Sequence, residues 1–328
     1  MSRMQAVVCE GAGGVEVLKI GEIEDPTPGP RSVVIDVVAA GVNRADLLQR
    51  QGHYPPPPGA PETLGLECSG VISAVGEGVD DWSVGDECCA LLAGGGYAEK
   101  VVVPAVQVMP VPEGVDLISA AALPEAVATV WSNVFMIAHL KLGETLLVHG
   151  GASGIGTMAI QLGVAHGARV LCTVGSKEKM EFCSRLGAEV AINYKEAEWA
   201  SVVREATAKA GADVILDIIG AKYLEDNVKS LAYDGRLAVI GMQGGTKGTL
   251  DLGRLMSRRA LVAATGLRAR SVEEKGQIID EIVGHVWPLA AAKKVRPIVH
   301  RTFPLADVRQ AHEMLEQSNQ IGKVLLTI

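Results

Sequence analysis

The sequence predicts an α/β protein in which a doubly wound parallel sheet is inserted in a discontinuous antiparallel β domain. Three observations predict it. From about residue 142, apolar strand-like runs alternate with amphipathic stretches of helical length. Before about residue 122 there are only short Val-rich runs broken by Gly and Pro. After about residue 268 the chain closes with strand-like pieces that read as rejoining the first domain. Composition agrees. Apolar residues make up 48% of the 328, but aromatics only 4%, so the core must be built from Val, Ile, Leu and Ala, as buried parallel strands require.

In order along the chain, "QAVVCE", "SVVIDVVAAGV", "GVISAVGEGV" and "YAEKVVVP" read as antiparallel strands. The parallel strands follow as "TLLVHG", "RVLCTV", "EVAINY", "DVILDIIG", "RLAVIG" and "ALVAATGL". Between them, "SKEKMEFCSRLG" and "EAEWASVVREATAKAG" have helical length and amphipathic pattern. A long helix is expected over "VEEKGQIIDEIVGHVWPLAAAKK", then a strand in "RPIVHRTF". A helix with Pro304 at its start and Leu305, Val308 and Leu315 on one face follows, and "KVLLTI" is the last strand. The domains read as 1–122 with 268–328, and 123–267.

Several function classes are excluded. The net charge is −8 and no run of Lys and Arg occurs, so no nucleic-acid partner is expected. The N-terminus lacks the apolar core of a signal peptide, and no uninterrupted apolar stretch reaches membrane-spanning length. A cytoplasmic protein with no membrane partner is expected. The six cysteines are scattered, which argues against a disulfide framework and for a reducing compartment.

The strongest motif is "TLLVHGGASGIGTMAIQLG", where an apolar strand runs into a glycine-rich turn and then a helix. Glycine lets the backbone turn tightly and approach a pyrophosphate, and the helix offers its free N–H groups and positive dipole end to the anion. Gly151, Ala152, Ser153, Gly154, Ile155 and Gly156 are the expected contacts of a dinucleotide. An NAD site carries an acidic residue at the end of the second strand. Here Gly175 and Ser176 stand there and Lys177 follows, a set that suits a 2′-phosphate, so NADPH is the expected cofactor. Lys177 taken singly also reads as a solvated residue at a helix start. The glycines fit short-chain dehydrogenases too, but the Tyr-x-x-x-Lys pair of those enzymes is missing: Glu198, Asn227 and Leu237 follow four residues after Tyr194, Tyr223 and Tyr233.

"TLGLECSG", residues 63–70, sets Glu67 beside Cys68 between glycines. With "GVNRADLLQRQGHYPPPPG", "VGDECCALLAGGGYAEKVVVP", the glycine turn, "INYKE" and the terminal "IGKVLL", it makes the whole chain resemble the medium-chain dehydrogenases/reductases. Within them it is most similar to the zinc-free, zeta-crystallin-like NADPH:quinone oxidoreductase branch. The resemblance implies a Rossmann domain inserted in a GroES-like domain. Zinc-dependent members have Gly-His-Glu where Gly65, Leu66 and Glu67 stand, and a cysteine near Asn43. The adjacent Cys88 and Cys89 lack the spacing of a structural zinc lobe. Cys68 then reads as a small buried strand residue.

The resemblance points to Asn43 and Tyr54 as the groups that serve an acceptor oxygen without a metal. Tyr54 also reads as a plain aromatic wall and Asn43 as a turn former. It further implies cofactor contacts by Thr129, Tyr194, Gly241, Met242, Gln243, Leu267, Arg268, Asn319 and Lys323, and a homodimer through the sixth strand, "ALVAATGL". The function implied is metal-free hydride transfer from NADPH to quinones. Reduction of α,β-unsaturated carbonyls is the alternative, and a non-catalytic NADPH-binding protein the remoter one.

Overall fold

The computed structural model describes residues 2–328. The chain folds as two compact units, Met1–Ala128 with Leu267–Ile328, and Thr129–Gly266. The first boundary falls at a place where composition does not change.

The strands are β1 (Arg3–Cys9), β2 (Leu18–Glu24), β3 (Ser32–Val42), β4 (Glu67–Val75), β5 (Glu87–Leu91), β6 (Lys100–Pro104) and β7 (Val108–Pro110), then β8 (Thr145–His149), β9 (Arg169–Val174), β10 (Val190–Asn193), β11 (Ala212–Asp217), β12 (Leu231–Val239) and β13 (Leu261–Ala264), and finally β14 (Val299–Pro304) and β15 (Lys323–Thr327). The helices are α1 (Arg44–Arg50), α2 (Leu117–Ala120), α3 (Pro124–Val130), α4 (Gly154–Ala165), α5 (Lys177–Arg185), α6 (Trp199–Ala206), α7 (Leu224–Ser230), α8 (Leu252–Arg258), α9 (Val272–His285), α10 (Trp287–Ala291) and α11 (Val308–Gln317). A π-helix, Trp131–Ile137, continues α3.

In the first unit, seven strands form one sheet with β14-β15-β3-β4-β5-β7 as neighbours and β6 also on β3. Its pairs are antiparallel except β14 with β15, which run parallel. The exception has a local cause: α11 lies between these two strands in sequence, and a strand–helix–strand crossover returns the second strand parallel to the first. Leu305, Val308 and Leu315 turn inward with Val324 and Leu326 to build the core beneath. Pro304 ends β14, and a single 3-10 turn, Leu305–Asp307, separates it from α11.

The stretch expected as one long helix after 268 is two, α9 and α10. Pro288 is the reason, since it lacks an N–H and its ring clashes with the preceding turn. One helical stretch, Leu117–Ile137, is long and apolar enough by length and composition to span a membrane, but 78% of its most apolar window is buried in the fold, the mark of a core helix.

The second unit is a six-stranded parallel sheet in the order β10-β9-β8-β11-β12-β13. Numbered within the unit this is 3-2-1-4-5-6, the doubly wound order whose ligands bind beyond the carboxyl ends of the strands. Leu147, Leu171, Ile192, Ile215 and Leu237 fill one side of the sheet with Trp199 and Val203 of α6. Strand β13 is an edge with only β12 beside it, and Leu261 and Val262 on it are exposed.

Leu326 is fully buried where β15 meets α11. Leu326→Ala is expected to cost about 2–5 kcal/mol of unfolding free energy, read from the midpoint of urea denaturation.

Candidate functional site

The residues that carry chemistry in the first unit converge on one buried carboxylate. Glu67 opens β4 and has no exposed surface. Its Oε1 accepts from Asn43 Nδ2 at 2.8 Å and from Lys323 Nζ, and its Oε2 accepts from the Glu125 backbone N–H at 2.9 Å. Lys323, at the start of β15, donates also to Asn43 Oδ1 at 2.6 Å and reaches Val42 O at 3.4 Å. Asn43, which precedes α1, is therefore engaged through both ends of its amide, with Gly41 O a further, longer acceptor at 3.4 Å. The ammonium of Lys323, expected as a cofactor contact, is spent on Glu67 and Asn43.

Two more carboxyls lie around this pair. Asp46 in α1 is fully buried and accepts from Asn43 N (2.8 Å), Gly65 N (3.1 Å) and the Tyr97 hydroxyl (3.1 Å). Burial pushes it up to about 6 despite those donors. Glu125 in α3 is pushed up to about 8, first by burial and then by the neighbouring Glu67, against the pull of Lys323. Glu125 thus holds its proton near neutrality. Lys275, buried in α9, is pushed down by burial while Glu125 draws it the other way.

Tyr54 lies in the proline-rich loop after α1. Arg268 holds that loop: its Nη1 reaches Tyr54 O at 3.4 Å, its Nε donates to Ala93 O at 2.7 Å, and its guanidinium carbon stands 5.5 Å from the Tyr54 ring centre. Burial and the charge of Glu125 raise the Tyr54 phenol, so it remains a hydrogen-bond donor. Arg268 Nη2 is buried with no partner among the described residues. Leu267 is buried beside it in sequence, and Asn319 is exposed on the turn between α11 and β15.

In the second unit the glycine turn joins β8 to α4. Ser153 caps α4, its Oγ accepting from Gly156 N at 2.9 Å. A Cβ on Gly156 would meet Gly150 O at 2.2 Å, so only glycine permits this close return of the backbone. Beneath the turn, His149 is buried and pushed down to about 4. Asn227 Nδ2 donates to Asp217 Oδ2 at 3.1 Å, so its Oδ1 is left to accept from His149 Nε2 at 2.7 Å, and His149 Nδ1 accepts from Thr173 at 3.0 Å. This chain, which runs from a neutral imidazole to the Asp217 carboxylate, ties the ends of β8, β9 and β11 together under the turn.

At the carboxyl ends of β9 and β10, Gly175, Ser176 and Tyr194 come together: a Cβ on Gly175 would lie 2.8 Å from the Tyr194 hydroxyl. Lys177 is exposed at the start of α5. Lys195, which sequence reasoning passed over, also borders Gly175, and it is close enough to Lys179 to help push that ammonium down, after burial. Thr129 is buried just ahead of the π-helix, a local distortion frequent at functional sites. Gly241, Met242 and Gln243 form the turn after β12, packed on the backbone after β11: Gln243 N donates to Ile218 O at 3.3 Å, and Met242 is exposed.

Glu67, Glu125, Lys275 and Lys195 are the polar residues that sequence reasoning did not place among the functional ones. Glu67, in "LGLECSG", and Lys195, in "INYKE", carried a signal only by their places in those motifs.

Comparison with known proteins agrees with this geometry. Residues 29–113 match the alcohol dehydrogenase GroES-like domain, and residues 154–283 match the zinc-binding dehydrogenase family. The quinone oxidoreductase of Rattus norvegicus is 31% identical over 331 residues, covering 99% of this chain and 98% of its own. The chain belongs to the quinone oxidoreductases of the medium-chain dehydrogenase/reductase superfamily. Among solved structures, mycobacterial Rv1454c complexed with NADPH is 31% identical with a TM-score of 0.89, covering 99% of this chain and 100% of its own. The JamJ enoyl reductase is 26% identical with a TM-score of 0.89, covering 99% of both chains.

One family description names zinc, and the residues here do not fit it. Leu66 has no donor atom, and Asn43 and Glu67 are spent on Lys323 and on one another. Cys68 is a buried thiol pushed well up by burial and by the adjacent Cys88 and Cys89. Among the described residues no three of His, Cys, Asp and Glu are grouped to hold a metal. The family's dinucleotide does fit, in the cradle that the turn glycines leave open.

Two outcomes are expected. Lys323→Met leaves Glu67 buried without its cation and should cost about 3–5 kcal/mol in urea denaturation, with most of the loss recovered in Lys323→Met/Glu67→Leu. Glu125 binds its proton more tightly folded than unfolded, so its contribution to stability is full below about pH 4.5 and is lost as pH rises through about 8. The wild type should therefore lose stability relative to Glu125→Gln across that window, the two being most alike below about pH 4.5 and the Gln variant gaining as pH rises toward 8, measured by denaturation at successive pH values.

Proposed function

We propose that this chain is an NADPH-dependent quinone reductase that transfers hydride without a metal. The observation that carries the proposal is the Glu67–Lys323–Asn43 cluster, in which an ammonium and an amide satisfy the carboxylate that neighbours a metal ligand in zinc-dependent relatives. NADPH is supported by the glycine cradle, by Ser176, Lys177, Lys195 and Tyr194 at the 2′-phosphate position, and by the NADPH held by mycobacterial Rv1454c. Bound there, NADPH supplies the hydride.

The chain's own task is to orient the acceptor and receive charge on its oxygen. The Tyr54 phenol donates to that oxygen, Arg268 fixes the Tyr54 loop and brings a positive charge beside it, and Glu125 is the protonated acid nearest in electrostatic terms. Asn43, with its amide committed to Glu67 and Lys323, positions rather than donates. Such a site suits acceptors whose reduced form is a weakly basic anion, a hydroquinone or an enolate, because a simple alkoxide needs stronger electrophilic help. Reduction of α,β-unsaturated carbonyls is the second reading, favoured by the fold shared with the JamJ enoyl reductase. The exposed Leu261 and Val262 on the β13 edge, with Met256 and Leu252 of α8, support a homodimer through that edge; light scattering after gel filtration tests it.

Steady-state kinetics of EDTA-treated protein with an ortho-quinone and an enone, each with NADPH and NADH, test the function. Fast NADPH turnover with the quinone is expected, and turnover with the enone alone would move the protein to the alkenal reductases. Silence with both, despite tight NADPH binding, would leave a cofactor-binding protein. Lys177→Ala should raise KM for NADPH about tenfold and barely change that for NADH. Tyr54→Phe should lower kcat by about 10- to 100-fold. One equivalent of zinc found by elemental analysis would overturn the metal-free reading.

A further inference from the structure

A cavity of about 240 Å³ opens at the other end of the parallel sheet from the glycine turn. It sits where β11 and β12 begin, next to Gly211 and Leu231, whereas the glycine turn follows the end of β8. The strands between are parallel and span roughly 20 Å. Five cations line it, Arg204, Lys209, Lys229, Arg254 and Arg258, and no carboxylate does. Lys229 is paired, with Glu225 at 2.6 Å and Asp226 at 3.4 Å. The other four have no ion pair among the described residues.

Helix dipoles explain part of this. Arg204, Lys229 and Arg258 stand in the last turns of α6, α7 and α8, where a cation is favoured. They do not explain Arg254, the third residue of α8, at the end where a cation is disfavoured. Nor do they explain Lys209, which is presented by a turn with Ala208 at φ 48° and Lys209 at φ 70°, a left-handed pair of non-glycine residues. Arg254 is fixed in place, its Nη2 donating to Lys229 O at 2.9 Å, while its Nε is buried with no partner. Arg258 is steadied over the Tyr233 ring at 5.3 Å. A chain of net charge −8 thus gathers five like charges around one hollow and leaves a guanidinium N–H unmet. Such crowding is costly in the absence of an anion.

We propose that this cavity binds a compact diphosphate. The four unpaired cations match the roughly three to four negative charges of a diphosphate at neutral pH, and arginine forks grip phosphate oxygens in pairs. Free pyrophosphate and the diphosphate of a nucleotide share this chemistry.

The test is calorimetric titration of the NADPH-saturated protein, which keeps the glycine turn occupied, with inorganic pyrophosphate and with ADP at low ionic strength. One equivalent of pyrophosphate per chain is expected, with affinity falling as salt rises. Arg254→Gln and Lys209→Gln should each weaken it at least about tenfold and leave kcat and KM for NADPH unchanged. Lys209 is exposed and outside the helices, so its variant keeps the test valid if Arg254→Gln fails to fold. Tighter binding of ADP than of pyrophosphate would assign a nucleotide, and equal binding the diphosphate alone. No saturable binding by the wild type, as when a second copy's carboxylates fill the hollow, would overturn the proposal. Undiminished binding by the Lys209 variant and by any folded Arg254 variant would overturn it equally.

Discussion

The first unit depends on the ion pair between Glu67 and Lys323. The two residues are 256 positions apart, one opening β4 and the other opening β15, and both are buried. A carboxylate taken out of water must recover its hydration from the protein, and Glu67 does so with donors from three further places: the Asn43 amide ahead of α1, the Lys323 ammonium and the Glu125 backbone at the start of α3. One satisfied anion therefore fixes where four segments meet. The close packing around it leaves no slack, because a Cβ on Gly41 would fall 2.2 Å from Glu67 Oε1.

That anion also sets the chemistry of its neighbours. Buried beside Glu67, Glu125 cannot easily lose its proton, and the Tyr54 phenol is raised by burial first and then by the charge Glu125 carries once ionised. Asp46 and Tyr97 share a proton-holding contact a little deeper. The second unit uses the opposite strategy. The His149, Thr173, Asn227 and Asp217 chain under the glycine turn keeps its imidazole neutral at physiological pH, so the turn is stiffened without an imidazolium, and the cations near Gly175 are the lysines at the ends of β9 and β10. Free backbone N–H groups at the turn and cations at the side are what a pyrophosphate-bearing ligand with an extra phosphate requires.

The parts of this arrangement that were legible in the sequence are those governed by local rules. The strand, glycine turn and helix around residues 145–165 declare themselves because each glycine has a backbone reason, and the alternation that follows has a period. The β14–β15 pair was read as two strands but not as parallel ones, since strand direction depends on the helix between them packing against the sheet. The break at Pro288 was visible as a residue, yet the amphipathic pattern on either side concealed it. Lys195 carried only its place in "INYKE", and Glu125 no signal. Their roles come from tertiary neighbours, Gly175 for one and Glu67 for the other, and those neighbours are 20 and 58 positions away. Asn43 was legible as a turn former or as a donor to the acceptor oxygen, but its role turned on which partners consumed its amide.

Leu66, which has no donor atom for a metal, precedes the carboxylate of the same network. A divalent ion beside Glu67 would have to compete with an ammonium that already neutralises it at contact distance, and Lys323 is held there by Asn43 Oδ1 as well. Ammonium and metal are not equivalent. A metal with an open position bonds directly to an acceptor oxygen and stabilises an alkoxide, whereas Lys323 is buried and its donors face Glu67, Asn43 and Val42. In the proposed mechanism the positive charge available to an acceptor is then that of Arg268, which stands beside the Tyr54 ring. A single phenol next to a guanidinium stabilises an anion by a few kcal/mol at most, on the order of what one oxyanion donor supplies. That magnitude separates the acceptor classes. It is sufficient for anions that delocalise their own charge, such as hydroquinones and enolates, and falls short for a localised alkoxide. In the proposed mechanism, the network that occupies the metal's place is thus the same one that narrows the acceptors.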